Sequence, residues 1–139
     1  MLDKINNYLL QYENISFALI FGSFVSNNNH NLSDLDIGIY TKSEFDLLSI
    51  GKIIYDLEKI TKLKIDLVEL NNLPKKFPYF AFNIVNQHKV IFIKDEEEFI
   101  KFKREALLYY FDIQPLREKM NNALLSRIEN LKFGKLYND

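Results

Sequence analysis

The spacing of apolar positions changes repeatedly along the chain, and each change predicts a different element. Residues 3 to 12 place Ile5, Tyr8, Leu9 and Tyr12 at helical spacing, and Phe17 to Phe21 is a compact apolar run closed by Gly22-Ser23. This predicts a helix, a buried strand and a turn. From Phe24 to Leu32 the chain carries Asn27, Asn28, Asn29 and Asn31, whose side chains compete for local backbone hydrogen bonds, so a loop is expected. From Asp34 to Tyr40, Leu35, Ile37 and Ile39 alternate with Asp34, Asp36 and Gly38. That is the period of a strand with one covered face, and its other face holds two carboxylates. A second helix is signalled by Ser43-Glu-Phe-Asp46, which resembles a capping box, followed by Leu47, Ile50, Ile53, Ile54, Leu57 and Ile60.

Lys64 to Leu70 alternates again and predicts a third strand. Pro74 and Pro78 bracket a connection, after which a short helix is expected from Phe80 to Val85 and a fourth strand from Val90 to Ile93. Two amphipathic helices follow, Glu96 to Phe111 and Leu116 to Leu131, interrupted near Pro115. The stripe Leu116, Met120, Leu124, Ile128 and Leu131 covers either the sheet of this chain or a partner. The expected fold class is α/β: a small twisted mixed sheet with flanking helices and a helical C-terminal tail. We expect one domain over 1–139, with a core of about 1–95 and C-terminal helices over about 96–133.

Composition narrows the function classes. A chain of 139 residues that is 47% hydrophobic buries roughly two-thirds of its unfolded surface in one core. It has no cysteine, which excludes disulfides, thiolate metal ligands and a cysteine nucleophile. The start of the chain lacks a basic region followed by a long apolar segment, and no run approaches the ~20 apolar residues of a membrane span. A soluble cytoplasmic protein with no membrane partner is therefore expected. Eighteen basic and 19 acidic residues give a formal charge of −1, so no global positive excess attracts a phosphate backbone, and direct nucleic-acid binding is not expected. A nucleotide site remains open, because a bound metal ion supplies local positive charge.

The informative constellation is Gly22-Ser23, ten intervening residues, Asp34-Leu35-Asp36, and Asp66 on a later strand. Nucleotidyl transfer uses divalent metal to hold a triphosphate and stabilise entering and leaving oxygens, and magnesium prefers carboxylate and phosphate oxygens. Aspartates at i and i+2 on a strand project from one face, where they can hold a pair of ions about 3.5 to 4 Å apart. Asp66 completes such a set if its strand neighbours theirs; the plainer alternative is a salt-bridged strand aspartate. Gly22 permits close backbone approach, and Ser23 offers an amide and a hydroxyl to a phosphate. The two histidines, His30 and His88, lack metal-ligand spacing and read as surface residues.

The segment GSFVSNNNHNLSDLD, from Gly22 to Asp36, resembles the Gly-Ser, ten residues, Asp-x-Asp signature of the minimal nucleotidyltransferases of the polymerase-beta-like superfamily. The likeness continues through Ile65 to Pro74 and covers roughly residues 15 to 95. Small single-domain members look like antitoxins paired with a helical HEPN-type ribonuclease toxin. The resemblance implies the superfamily's sheet and a magnesium-dependent adenylyltransferase that moves AMP from ATP to a tyrosine hydroxyl of that toxin, neutralising it. It also implies two magnesium ions held by Asp34, Asp36 and Asp66, with Asp66 the base for the acceptor, and phosphate contacts from Gly22 and Ser23. One departure is Ser26-Asn27, where many relatives have Arg-Gly. Two other readings stay open: an antitoxin acting by binding alone, and a nucleotidyltransferase acting on a small hydroxylated molecule such as an aminoglycoside.

Overall fold

A strand apolar at every position but one, Ser16, needs cover on both faces and hydrogen-bonding neighbours on both edges. Residues 15 to 21 find both. The computed structural model of the protein describes residues 1–26 and 34–112, with α1 (Leu2–Leu10), β1 (Ile15–Phe21), α2 (Ser23–Ser26), β2 (Leu35–Thr41) and α3 (Leu47–Thr61). β3 (Ile65–Glu69), α4 (Leu73–Lys76), α5 (Pro78–Asn86), β4 (His88–Ile93) and α6 (Glu96–Tyr110) follow. The sheet order is β3-β2-β1-β4, and β1 is fully buried. β1 pairs antiparallel with β2 and β4, whereas β2 and β3 are parallel, joined by the crossover helix α3. The expected mixed sheet with flanking helices is thus present.

Each face carries its own core. Ile20, Ile37 and Ile39 pack with Ile5 and Leu9 of α1 and Ile53 and Leu57 of α3. On the other face Phe17, Leu19, Phe21 and Tyr40 pack with Ala81 and Ile84 of α5 and Phe99 and Phe102 of α6. Phe17 stacks on Tyr40 at 4.9 Å between ring centroids and meets Phe99 edge-on at 5.0 Å, so aromatic faces rather than aliphatic stems fill this layer.

Three expectations need correction. β2 has both faces covered: Tyr40 is buried, and Gly38 admits Leu70 so closely that an added Cβ would lie 2.9 Å from its side chain. The solvated face foreseen for this strand survives only at its carboxylate end. Ser43 does not cap α3; Asp46 does, accepting from the Ser49 amide at 2.8 Å. Ser43 instead exchanges hydrogen bonds with Asn14, which accepts its amide at 2.8 Å and its hydroxyl at 2.9 Å. The loop expected from Phe24 opens with the helical turn α2, and its remainder over 27–33 lies outside the described residues, as does the helix expected from Leu116 to Leu131.

Candidate active site

The end of the sheet where β1 finishes and β2 and β3 begin gathers the acidic residues. In the parallel pairing Asp36 stands opposite Asp66, and in the antiparallel pairing Phe21 stands opposite Asp36. Strand adjacency, left open by the sequence, is supplied by α3, whose crossover returns the chain to the same end of the sheet. Asp34 precedes β2 by one residue and shares the side of Asp36, because side chains alternate along a strand. Asp34 and Asp66 are exposed and Asp36 is half-buried.

Burial, first, and then the charges of Asp66 and Asp34 push the Asp36 carboxyl up to about 6, with a hydrogen bond to Asp66 adding to the rise. Two carboxyl groups in contact need a proton or a cation between them. Gly22 explains part of the crowding. Its φ is +83°, and a Cβ there would collide with the Asp36 carboxylate oxygen Oδ2. Glycine is therefore required twice over, for the backbone conformation and for the approach of a carboxylate. Ser23, half-buried, opens α2 beside it. Ser26 ends that turn, and Asn27 falls outside the described residues.

One face of α5 completes the site. A cleft of about 260 Å³ is lined by Phe21, Gly22 and Asp36 on one side and by Phe80, Asn83, Ile84 and Gln87 on the other. The sequence predicts only a short helix from Phe80 to Val85 here and assigns none of its residues to the site. The available signal was three carboxamides, Asn83, Asn86 and Gln87, at the end of a largely apolar helix that leads directly into β4. His88 is half-buried rather than a surface residue, its Nδ1 lying 2.9 Å from the Ile84 carbonyl and its ring edge-on to Phe99. It opens β4 with its ring against the last carbonyls of α5 and does not line the cleft. His30 lies outside the described residues.

The residues fit a hard divalent cation by donor chemistry. Asp34, Asp36 and Asp66 form an all-oxygen set, and the repulsion that raises Asp36 is what a cation relieves. Among the described residues no three His, Asp or Glu side chains are placed to hold a metal ion by themselves. Such a set is not required of magnesium, which retains waters and takes substrate phosphates as ligands.

The family model described as Polymerase beta, Nucleotidyltransferase matches residues 3–97, a span containing the sheet, the three aspartates and α5. The chain belongs to this nucleotidyltransferase family. It is 29% identical over 126 residues to the protein adenylyltransferase MntA of Aphanizomenon flos-aquae (strain 2012/KM1/D3), covering 84% of this chain and 79% of that one. Two solved structures share the nucleotidyltransferase fold. One is a chain in the crystal structure of a toxin-antitoxin with AMP-PNP, at TM-score 0.70 and 19% identity, covering 89% of this chain and 98% of that one. The other is a chain in the complex of the tri-AMPylated Shewanella oneidensis HEPN toxin with its MNT antitoxin. It matches at TM-score 0.62 and 17% identity over 90% of this chain and 99% of that one. At these identities the structural likenesses speak for the fold.

Proposed function

We propose that this nucleotidyltransferase is a cytoplasmic antitoxin that transfers AMP from ATP to a tyrosine hydroxyl of a cognate HEPN-family ribonuclease toxin and thereby neutralises it. The observation that carries the reading is the in-register meeting of Asp36 and Asp66 with Gly22 packed against Asp36, in a family whose chemistry is nucleotidyl transfer. The choice of a protein acceptor is supported by the name of the adenylyltransferase relative and by the AMPylated toxin in the complex whose antitoxin shares the fold.

In this reading Asp34, Asp36 and Asp66 hold two magnesium ions. When bound, these neutralise the triphosphate and stabilise the departing pyrophosphate. Gly22 and Ser23 contact a phosphate at the end of β1, with the Ser23 amide and hydroxyl donating to it. Asp66 receives the proton of the acceptor hydroxyl. The acceptor oxygen forms a bond to the α-phosphorus, the bond from that phosphorus to the β-phosphate bridging oxygen breaks, and pyrophosphate carries away the electron pair. Asp36, the most enclosed of the three carboxylates, would fix the position of the bound metal relative to the sheet.

Intact-mass spectrometry of a candidate HEPN-type toxin, sought in the neighbouring gene, after incubation with this chain, ATP and Mg²⁺ tests the proposal. Added AMP mass, lost with Asp36→Asn and in chelator, is the expected result. Ser26-Asn27, which omits a cation present in many relatives, favours a second reading in which binding alone suffices. A toxin that stays unmodified yet is fully inhibited by both wild type and Asp36→Asn would establish that reading instead.

A further inference from the structure

The cleft beside Asp36 has two walls of different chemistry. Phe80, Asn83 and Ile84 lie at i, i+3 and i+4 of one face of α5, and Gln87, the extended residue that follows the helix, lines the same cleft beside β1 and β2. Phe80 is partly exposed and held edge-on to Phe21, with 5.8 Å between ring centroids. Asn83 and Gln87 are exposed, and among the described residues their carboxamides make no hydrogen bond within the protein. Among the described residues no lysine or arginine lines this cleft. Its volume, about 260 Å³, falls below the roughly 300–1,000 Å³ of pockets that enclose a whole ligand. It suits one part of a nucleotide, and that part is neutral.

Carboxamides neither attract nor repel a triphosphate. What they offer is a paired donor and acceptor in one plane, which matches the N6 donor and N7 acceptor of adenine and mismatches the O6 and N7 acceptors of guanine. An aromatic ring beside them supplies a surface for a flat base. Gly22 and Asp36 line the same cleft, so phosphates held there under the nucleotidyl-transfer reading would bring the nucleoside joined to the α-phosphate within reach of α5. Resting on the nucleotidyl-transfer reading, we propose that Phe80, Asn83 and Gln87 form the nucleoside subsite, and that the two carboxamides select adenine nucleotides over guanine nucleotides.

Calorimetric titration of the full chain with ATP, GTP and inorganic tripolyphosphate, each with Mg²⁺, tests this without any acceptor present. Wild type is expected to bind ATP more tightly than GTP. Asn83→Ala and Gln87→Ala should each weaken ATP by roughly 3–10-fold, the range of a lost neutral hydrogen bond, and compress the ATP-to-GTP ratio. Phe80→Leu should weaken both nucleotides while tripolyphosphate affinity stays the same in all three variants. Thermal melts confirm that each variant is folded. Unchanged ATP affinity in both carboxamide variants overturns the proposal, as does an equal loss for tripolyphosphate. A raised acceptor KM with unaltered nucleotide binding would assign the cleft to the acceptor instead. Failure of protein AMPylation alongside the expected binding pattern would leave the subsite standing and remove only the toxin as substrate.

Discussion

Asp36 is held under conditions that a carboxylate alone would not choose. Its carboxyl is raised from an ordinary 3.8 to about 6, so between these values the folded chain binds a proton more tightly than the unfolded chain does. Linkage then fixes the sign: this group's contribution to stability is most favourable below the unfolded value and is lost as pH rises through about 6. At neutral pH the metal-free protein therefore carries an ionised, half-buried carboxylate facing two others. Asp36→Asn removes that charge while keeping the shape. We expect the variant to melt a few degrees above wild type in chelator at about pH 7.5, with the difference shrinking toward about pH 4, where wild type is protonated. Magnesium should raise the wild-type melting temperature and not that of the variant. A variant that melts below wild type at neutral pH would show that Asp36 stabilises the fold, contrary to this account. Gly22 belongs to the same trade, since any side chain there would displace the carboxylate that its absence admits.

Among the elements, α3 does the most to assemble the site, because it returns the chain from the end of β2 to the start of β3. It ends on Lys62 in the left-handed conformation, φ 61°, with its amide bonded to the Glu58 carbonyl. For a side-chain-bearing residue that conformation costs about 1–2 kcal/mol, and glycine recovers it while losing about 0.5–1 kcal/mol through a freer unfolded chain. Lys62→Gly is accordingly expected to stabilise by about 0.5–1 kcal/mol in urea unfolding, with the slope unchanged. Destabilisation would mean that the lysine side chain contributes contacts outweighing the backbone strain. The helix was legible in the sequence from its 3.6-residue stripe, but its true cap was not. Ser43 and Asp46 both fit an N-cap from sequence, and the choice was made by Asn14, 29 residues away, which engages Ser43. Gly22-Ser23 and Asp34-Leu35-Asp36 stood out as candidates because their spacing is local and chemically specific, whereas the place of Asp66 opposite Asp36 depended on the sheet order. The covered second face of β2 was not, because it depends on Leu70 and the α5–α6 pair arriving from distant sequence. The contribution of α5 to the site was hidden for the same reason: Asn83 and Gln87 acquire meaning only when β4 places the helix end beside Phe21.

At the scale of the whole molecule the sheet has two unlike ends, and the larger cavity is not at the acidic one. A cleft of about 710 Å³ lies where β2 and β3 finish, lined in part by Thr41, Glu69 and the lysines Lys42, Lys75, Lys76 and Lys101. Five residues of strand, roughly 16 Å, separate Asp36 from Thr41, too far for one nucleotide to use both sets of charges at contact distance. Size and positive charge would direct a free polyphosphate to the lysine end. Carboxylates cannot hold a triphosphate without a cation, so the acidic end gains affinity only when a divalent metal is present. Magnesium is therefore the discriminator. Glu44, Glu69 and Glu105 line the lysine cleft as well and offset most of its charge, so its hold on phosphate is weak and falls with salt. We expect ATP to bind the whole protein far more tightly with Mg²⁺ than in chelator. Lys75→Ala with Lys76→Ala should leave the magnesium-dependent affinity within about twofold, as expected for exposed charges remote from the ligand. Asp36→Asn should abolish that dependence. Calorimetry of the two variants with and without metal separates the ends: a loss confined to the lysine variant would move the nucleotide to the far cleft and leave the aspartates without their substrate.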